Sequence, residues 1–380
     1  MKKTRTKYLR LAAVALIGAV LALDAAFLIL PDSGFSAAEN RNLQGLPAVT
    51  LNGLTSGRFE DRFEDYVADQ FPFRIGWIRV KTAIDRLLGR VESNGVFLGK
   101  DGYLIQAFAE PDPENYRQTV DAIRNFCSFR TNLRQYMLVA PSAATVCARR
   151  LPANAPAGDE SGFIDRLYAD LSGTPLTCVD VREALAALDA REQAYYRTDH
   201  HWTTAAAHAA YLQLAETAQL PGADAQYDPL LLSDSFSGTL TASSGFRMDE
   251  TDPLYAWLPR EGVNHVVSYA GESGRHASVY WTENLEKRDQ YTVFFNGNHP
   301  RVTIETGAES ARTLLMLKDS YANCFAPFLI GDYRRIIMVD PRYFTGDLGV
   351  LIDSEGVTDL LFLYNANTLA GDAFLKLDLQ

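Results

Sequence analysis

Residues 313–323 read TLLMLKDSYAN. The run TLLMLKD is short and almost wholly apolar, and it stops on a charged pair. That is the pattern of a strand covered on both faces. Residues 321–330 then read as a helix. A serine at such a junction, here Ser320, is exposed at the sheet edge beside helix-terminal N–H groups, which can stabilise an oxyanion. Asp and Ser are equally ordinary helix caps, so the junction alone does not separate a nucleophile from a cap.

The same pattern recurs outward from this strand. RRIIMVD (334–340), DLLFLYN (359–365), QYMLVA (135–140) and residues 176–181 read as further buried strands. Helices are predicted over 113–133, 161–172, 182–190 and 203–218. Alternating buried strands and helices imply an α/β fold, a parallel sheet with helices on both faces, whose site lies at the carboxyl ends of the strands. Residues 221–311 carry Gly, Ser, Thr and Asn with short aromatic runs and read as a β-rich insertion. GVFLGKDGYLI (95–105) reads as a hairpin turning at Gly99–Gly102. Residues 58–90 are amphipathic at helical spacing, with Pro72 predicting a break near Phe71.

At the N-terminus, a basic tail over residues 1–10 precedes LAAVALIGAVLALDAAFLIL (11–30), in which Asp24 is the one charge. Twenty such residues span about 30 Å as a helix, one hydrocarbon core. The basic flank predicts a cytoplasmic N-terminus and an extracytoplasmic remainder. The expected organisation is tail, signal anchor, linker (31–57), and a catalytic domain (58–380) carrying the insertion; the alternative is a cleaved signal peptide, against which the apolar stretch is longer than the usual h-region and ends in no clean A-x-A site.

Composition narrows the function. Hydrophobic residues make up 47% and charged residues 22%, which supports a sizeable core. Net charge is −11, which argues against nucleic acid as a partner and against a polyanionic substrate unless the site is locally basic. Cys127, Cys147, Cys178 and Cys324 lack zinc-like spacing. Cys147 and Cys178, each near a strand end, are the first candidate disulfide pair in an oxidising compartment, against a reading of four buried thiols.

Thr198-Asp199-His200-His201-Trp202 supplies what Ser320 lacks. Serine needs a base to take its proton, and histidine can serve near neutral pH. In Asp199-x-His201 the two side chains share a side if the segment is extended, bringing the carboxylate to the ring. The paired histidines also suit a metal, but zinc needs a third protein ligand and no HExxH spacing is present. Neither metal nor cofactor is expected.

TDHHWT resembles the signature of DHHW-motif proteins, which in turn resemble the SGNH-like alginate O-acetyltransferases of bacterial envelopes. ENRNLQGLP (39–47), DYVADQFPFR (65–74), NGVFLGKDGYLI (94–105), FFNGNHP (294–300), LKDSYAN (317–323) and VDPRYF (339–344) resemble that family's blocks in content and order. The resemblance implies an SGNH-hydrolase-like (flavodoxin-like) sheet in circularly permuted order. It makes Ser320 the nucleophile, His201 the base and Asp199 the orienting acid. Lys318 departs from the usual Gly, and His200 from a frequent Thr, which leaves the oxyanion geometry open. Asn298 is the preferred further oxyanion donor from FFNGN. Tyr343, Trp202, His200 and Tyr321 are candidate substrate-side residues, with Trp202 favoured as a wedge under the histidine loop.

The implied activity is O-acetylation of an envelope polysaccharide through an acyl-serine. A membrane-bound O-acyltransferase partner would supply acetyl groups from across the cytoplasmic membrane. An esterase using the same triad, and a non-catalytic polysaccharide-binding or assembly protein, are the alternatives.

Overall fold

The computed structural model describes residues 2–36 and 41–379. The side chains of residues 2–6 and the first two residues of the ENRNLQGLP block lie outside the described residues.

Eight strands form the central sheet: β1 (Arg134–Ala140), β2 (Leu176–Val179), β3 (His265–Tyr269), β4 (Arg275–His276), β5 (Arg301–Thr306), β6 (Thr313–Lys318), β7 (Arg335–Val339) and β8 (Asp359–Asn365). Their spatial order is β4-β3-β5-β7-β6-β8-β1-β2. The five from β7 to β2 run parallel, and β5, β3 and β4 continue the sheet antiparallel. The sheet is therefore mixed, and strands of the 221–311 segment extend it. The rest of that segment includes an antiparallel ribbon, Tyr227–Phe236 against Asp252–Pro259.

Alternation along each central strand divides the core in two. Leu314, Met316, Ile336, Met338, Leu361 and Leu363 join the core on one face. Leu315, Leu317, Ile337, Val339, Leu360 and Phe362 join the core on the other. Each face is dry, which is why these strands read as continuous apolar runs. The same division removes Cys147–Cys178, the first candidate disulfide pair, and leaves the reading of unpaired thiols. Cys147 is buried in the first core and Cys178 packs against the second, so the sheet stands between them. All four cysteines are free thiols.

The N-terminal helix α1 (Lys2–Ile29) contains a 23-residue stretch, Lys7–Ile29, long and apolar enough to cross a membrane. Helices α2 (Arg58–Gln70) and α3 (Arg74–Leu87) are separated as Pro72 requires, with Phe71 extended and Phe73 left-handed. Val96–Leu98 pairs with Leu104–Gln106 across a turn in which Asp101 and Gly102 both take positive φ. Helix α4 (Thr204–Ala218) is capped by the Thr203 hydroxyl, which accepts from the Ala206 amide.

Candidate active site

Ser320 follows β6 by two residues, at the carboxyl edge of the sheet. The intervening Asp319 fixes the turn. One of its carboxylate oxygens accepts from the Tyr321 amide at 2.9 Å, the other from the Asn365 amide at the end of β8 at 2.9 Å. The serine is thus indexed against two adjacent strands, and its Oγ lines an open cleft of about 610 Å³.

The histidine arrives on a closed loop. Tyr195 and Trp202 form an antiparallel bridge, and the Thr203 amide donates to the Ala194 carbonyl. Within the loop, Asp199 Oδ1 accepts both the His201 amide at 2.9 Å and His201 Nδ1 at 2.5 Å. This is an Asx turn and not the extended segment that the spacing suggested; the two side chains meet because the backbone bends. On the far side of the ring, His201 Nε2 lies 2.7 Å from Ser320 Oγ. Since Nδ1–H donates to a carboxylate, Nε2 carries the lone pair and accepts the serine proton.

Asp199 is itself held. Its Oδ2 accepts the Thr239 amide at 2.8 Å and the Thr239 hydroxyl at 3.0 Å. Burial works to raise this carboxyl, but the charges of His200 and His201 and the bonds from His201 and Thr239 outweigh it and hold it well below the usual range. The Thr239 hydroxyl spends its proton on Asp199, so at 2.9 Å it receives one from His200 Nδ1. Burial, reinforced by the His201 charge, lowers His200 to about 4, so it stays neutral near pH 7.

Aromatic rings hold the imidazole in place. Tyr291 stacks on His201 with centroids 3.8 Å apart and a 13° tilt, and its hydroxyl reaches the Ser320 carbonyl at 3.3 Å. Trp202 and Tyr321, named from the sequence as candidate substrate contacts, are buried. Trp202 Nε1 donates to the Tyr321 carbonyl at 3.0 Å, and the Tyr321 hydroxyl donates to the His200 carbonyl. They tie the serine and histidine segments together and cannot touch a ligand in the cleft. His200 likewise bonds to Thr239 behind the triad and is not on the cleft wall.

Asn298 and Tyr343 do line the cleft beside Ser320. The Asn298 Oδ1 accepts from Lys318 Nζ at 3.1 Å and from Asn323 Nδ2 at 3.2 Å. An ammonium can only donate, so this carbonyl must face Lys318. The Asn298 NH2 makes no hydrogen bond among the described residues and is left for the cleft. Lys318 is buried, which lowers it to about 8 against the opposing Asp340 charge. It occupies the place of the usual Gly by acting as an internal brace. The loop before Asn298 is strained into position: Phe295, Asn296 and Gly297 all take positive φ.

Several participants carried no sequence signal. Thr239, Gly238 and Asp252 come from the 221–311 segment. Asp252 is buried and accepts from the Arg197 and Thr198 amides, the Thr198 hydroxyl and the Gln193 amide, which fixes the base of the histidine loop. Asp289 also lines the cleft; burial, reinforced by the Asp199 charge, raises it to about 6. Arg288 joins the cleft to a second cavity of about 520 Å³ whose wall includes Arg79, Arg86 and Arg247. Among the described residues these four arginines have no acidic partner.

A hydroxyl, an imidazole and a carboxylate thus stand in line, Ser320 to His201 to Asp199, the geometry that Ser-His-Asp acyl transfer uses. Asp199, His200 and His201 offer ligand atoms within 4.8 Å of one another. Their hydrogen bonds already engage every such atom except His200 Nε2, so a metal there would have to break the triad.

Residues 96–235 match the family model described as SGNH hydrolase-like domain, acetyltransferase AlgX. Over 265 residues the chain is 23% identical to the probable alginate O-acetylase AlgJ of Pseudomonas syringae pv. tomato, covering 67% of this chain and 63% of that protein. The chain therefore spans less than two thirds of that relative's length. A DHHW family protein from Eubacterium siraeum superposes with a TM-score of 0.63 at 24% identity, covering 74% of this chain and 94% of that one. Bacillus cereus PatB1, solved with a sulfonyl adduct, superposes with a TM-score of 0.60 at 20% identity, covering 73% and 98%. The chain resembles the DHHW-motif and AlgX/AlgJ-type proteins, and its fold is the SGNH-like α/β fold.

Proposed function

We propose that this chain is a membrane-anchored, extracytoplasmic O-acetyltransferase that acts on a polysaccharide through an acyl-Ser320 intermediate. The carrying observation is the continuous line from Asp199 through His201 to Ser320, at 2.5 and 2.7 Å. His201 Nε2 takes the Ser320 proton as Oγ attacks the carbonyl carbon of an acetyl donor. The Asn298 NH2, on the cleft wall beside Ser320, and the Ser320 backbone N–H serve as donors to the developing oxyanion. Collapse expels the donor's leaving group, which receives the proton from His201. A sugar hydroxyl then attacks the acetyl-serine, gives its proton to His201, and leaves as the acetate ester while Ser320 regains its proton.

The AlgJ relative, named for alginate, supports a polysaccharide acceptor. The four-arginine cavity beside the cleft adds support for an acidic polymer, since guanidinium groups bind carboxylates in bidentate fashion. It supplies the local basicity that a chain of net charge −11 otherwise lacks. Tyr343, on the cleft wall, is a candidate sugar contact. Helix α1 serves as the anchor, with the basic tail cytoplasmic. Acetyl groups would come from a membrane-bound O-acyltransferase.

The test is to incubate the full chain with an activated acetyl ester and acidic oligosaccharides and to follow products by mass spectrometry. Acetylated oligosaccharide from wild type, lost in Ser320→Ala and His201→Ala, is expected. Release of free acetate alone would make the chain an esterase, and no reaction of Ser320 would make it a binding protein.

A further inference from the structure

We infer that α3 lies on the membrane surface and docks the catalytic domain against anionic lipid beside the anchor. Phe73, Trp77, Val80, Ile84, Leu87 and Leu88 are exposed by 47 to 87%. Along α3, Trp77, Val80, Ile84 and Leu87 recur every three or four residues and fall on a single stripe, with Phe73 and Leu88 at its two ends. The opposite side of the helix is committed to the domain. Thr82 donates to the Ser244 carbonyl at 2.7 Å, and Arg79 and Arg86 line the arginine cavity. The stripe is therefore a face left over after packing is complete.

Its surroundings identify what covers it. More than half of the exposed large apolar side chains outside α1 fall within residues 35–91, although most of the domain lies after them. That surface is continuous with the membrane-crossing helix. Phe27 of α1 meets Tyr66 of α2 edge-on at 5.8 Å, the Tyr66 hydroxyl donates to Asp32 at 3.2 Å, and Phe71 at the α2–α3 break packs against Trp77 at 6.5 Å. Lys81 and Arg90 flank the stripe and share the single acid of this stretch, Asp85, at 3.3 Å each. Basic residues beside an apolar stripe suit the phosphates and acyl boundary of anionic phospholipid, and a tryptophan suits the interface. A polar protein partner would leave the apolar stripe without a complement.

Docking of this kind holds the catalytic cleft at the bilayer, because the reverse face of α3 lines the cavity that Arg288 shares with the cleft. The inference rests on the reading of α1 as an anchor, and the test separates the two. The full chain is reconstituted into phosphatidylcholine–phosphatidylglycerol vesicles with and without lipid brominated at a shallow acyl position. Comparison with Trp77→Phe isolates the Trp77 emission. Loss of most of that emission in brominated vesicles is expected. It should be restored in a Val80→Glu, Ile84→Glu variant that still floats with the vesicles. Flotation with unquenched Trp77 would overturn the docking while leaving the anchor intact, as when another protein covers the stripe. A full chain that does not float would overturn both.

Discussion

Asp199 and His201 are bonded twice within one turn: the same carboxylate oxygen receives the His201 amide and the His201 ring N–H. The amide bond fixes where the carboxylate stands, and the ring bond fixes which nitrogen faces Ser320. Asp199→Asn keeps the size of the side chain but turns an acceptor into an amide that can present N–H to the ring. We expect kcat to fall by about 10³- to 10⁴-fold through the wrong imidazole tautomer. Steady-state kinetics with a chromogenic acetyl ester checks this, and KM should change little.

Thr239 bonds Asp199 and does not line the cleft that holds Ser320. Thr239→Val keeps the backbone N–H to Asp199 Oδ2 and removes the hydroxyl that also takes the His200 proton. A loss of roughly tenfold to a hundredfold in kcat is expected, the usual scale for a residue that orients a catalytic one. Thr239→Ser should restore most of the rate.

Gly238 is required by contact. A Cβ at this position would stand 2.1 Å from the Asp199 Cβ. Gly238→Ala should therefore push the 237–240 segment off the triad, destabilising the fold by about 1–3 kcal/mol and lowering activity further than Thr239→Val. Denaturant midpoints and kinetics on the same preparation measure both effects.

The raised Asp289 carboxyl makes a pH-dependent prediction. Its value in the fold, about 6, lies above the ordinary 3.8, so the folded state binds the proton more tightly. Stability from this group is present below pH 3.8 and lost as pH rises toward 6. Asp289→Asn should accordingly gain stability relative to wild type at pH 7 compared with pH 4, by about 1 kcal/mol after solvent screening. Urea midpoints at the two pH values decide it; an equal difference at both would show that Asp289 is not held in its neutral form.

The strands of the sheet were legible because burial on both faces erases alternation and leaves continuous apolar runs, as in TLLMLKD and DLLFLYN. Ser320, His201 and Asp199 were legible because reactive types cluster at a strand end and in one short motif. The parts that hold them were not. Thr239 bonds Asp199 from the start of a short helix, Thr239–Ser244, and Asp252 holds the base of the histidine loop from the ribbon; both lie in a segment that reads only as β-rich, with nothing to mark these two side chains. Tyr321 looks like a ligand-facing aromatic in a sequence, yet it is buried with its hydroxyl bonded to backbone. Lys318 read as a departure from a glycine, because its function as a brace depends on Asn298 and Asp340 arriving from two other segments. Cys147 and Cys178 were candidates for a pair by strand position, and the sheet between them decides for unpaired thiols.

The central claim is that Ser320 carries the acyl group. The most direct measurement is the intact mass of the full chain, quenched with acid seconds after mixing with an activated acetyl ester, followed by peptide mapping. A single acetyl increment on the peptide bearing Ser320, absent from Ser320→Ala and strongly reduced in His201→Ala, is the predicted result. Undiminished turnover of the ester by Ser320→Ala, or acetyl found on another residue of the active enzyme, would contradict it.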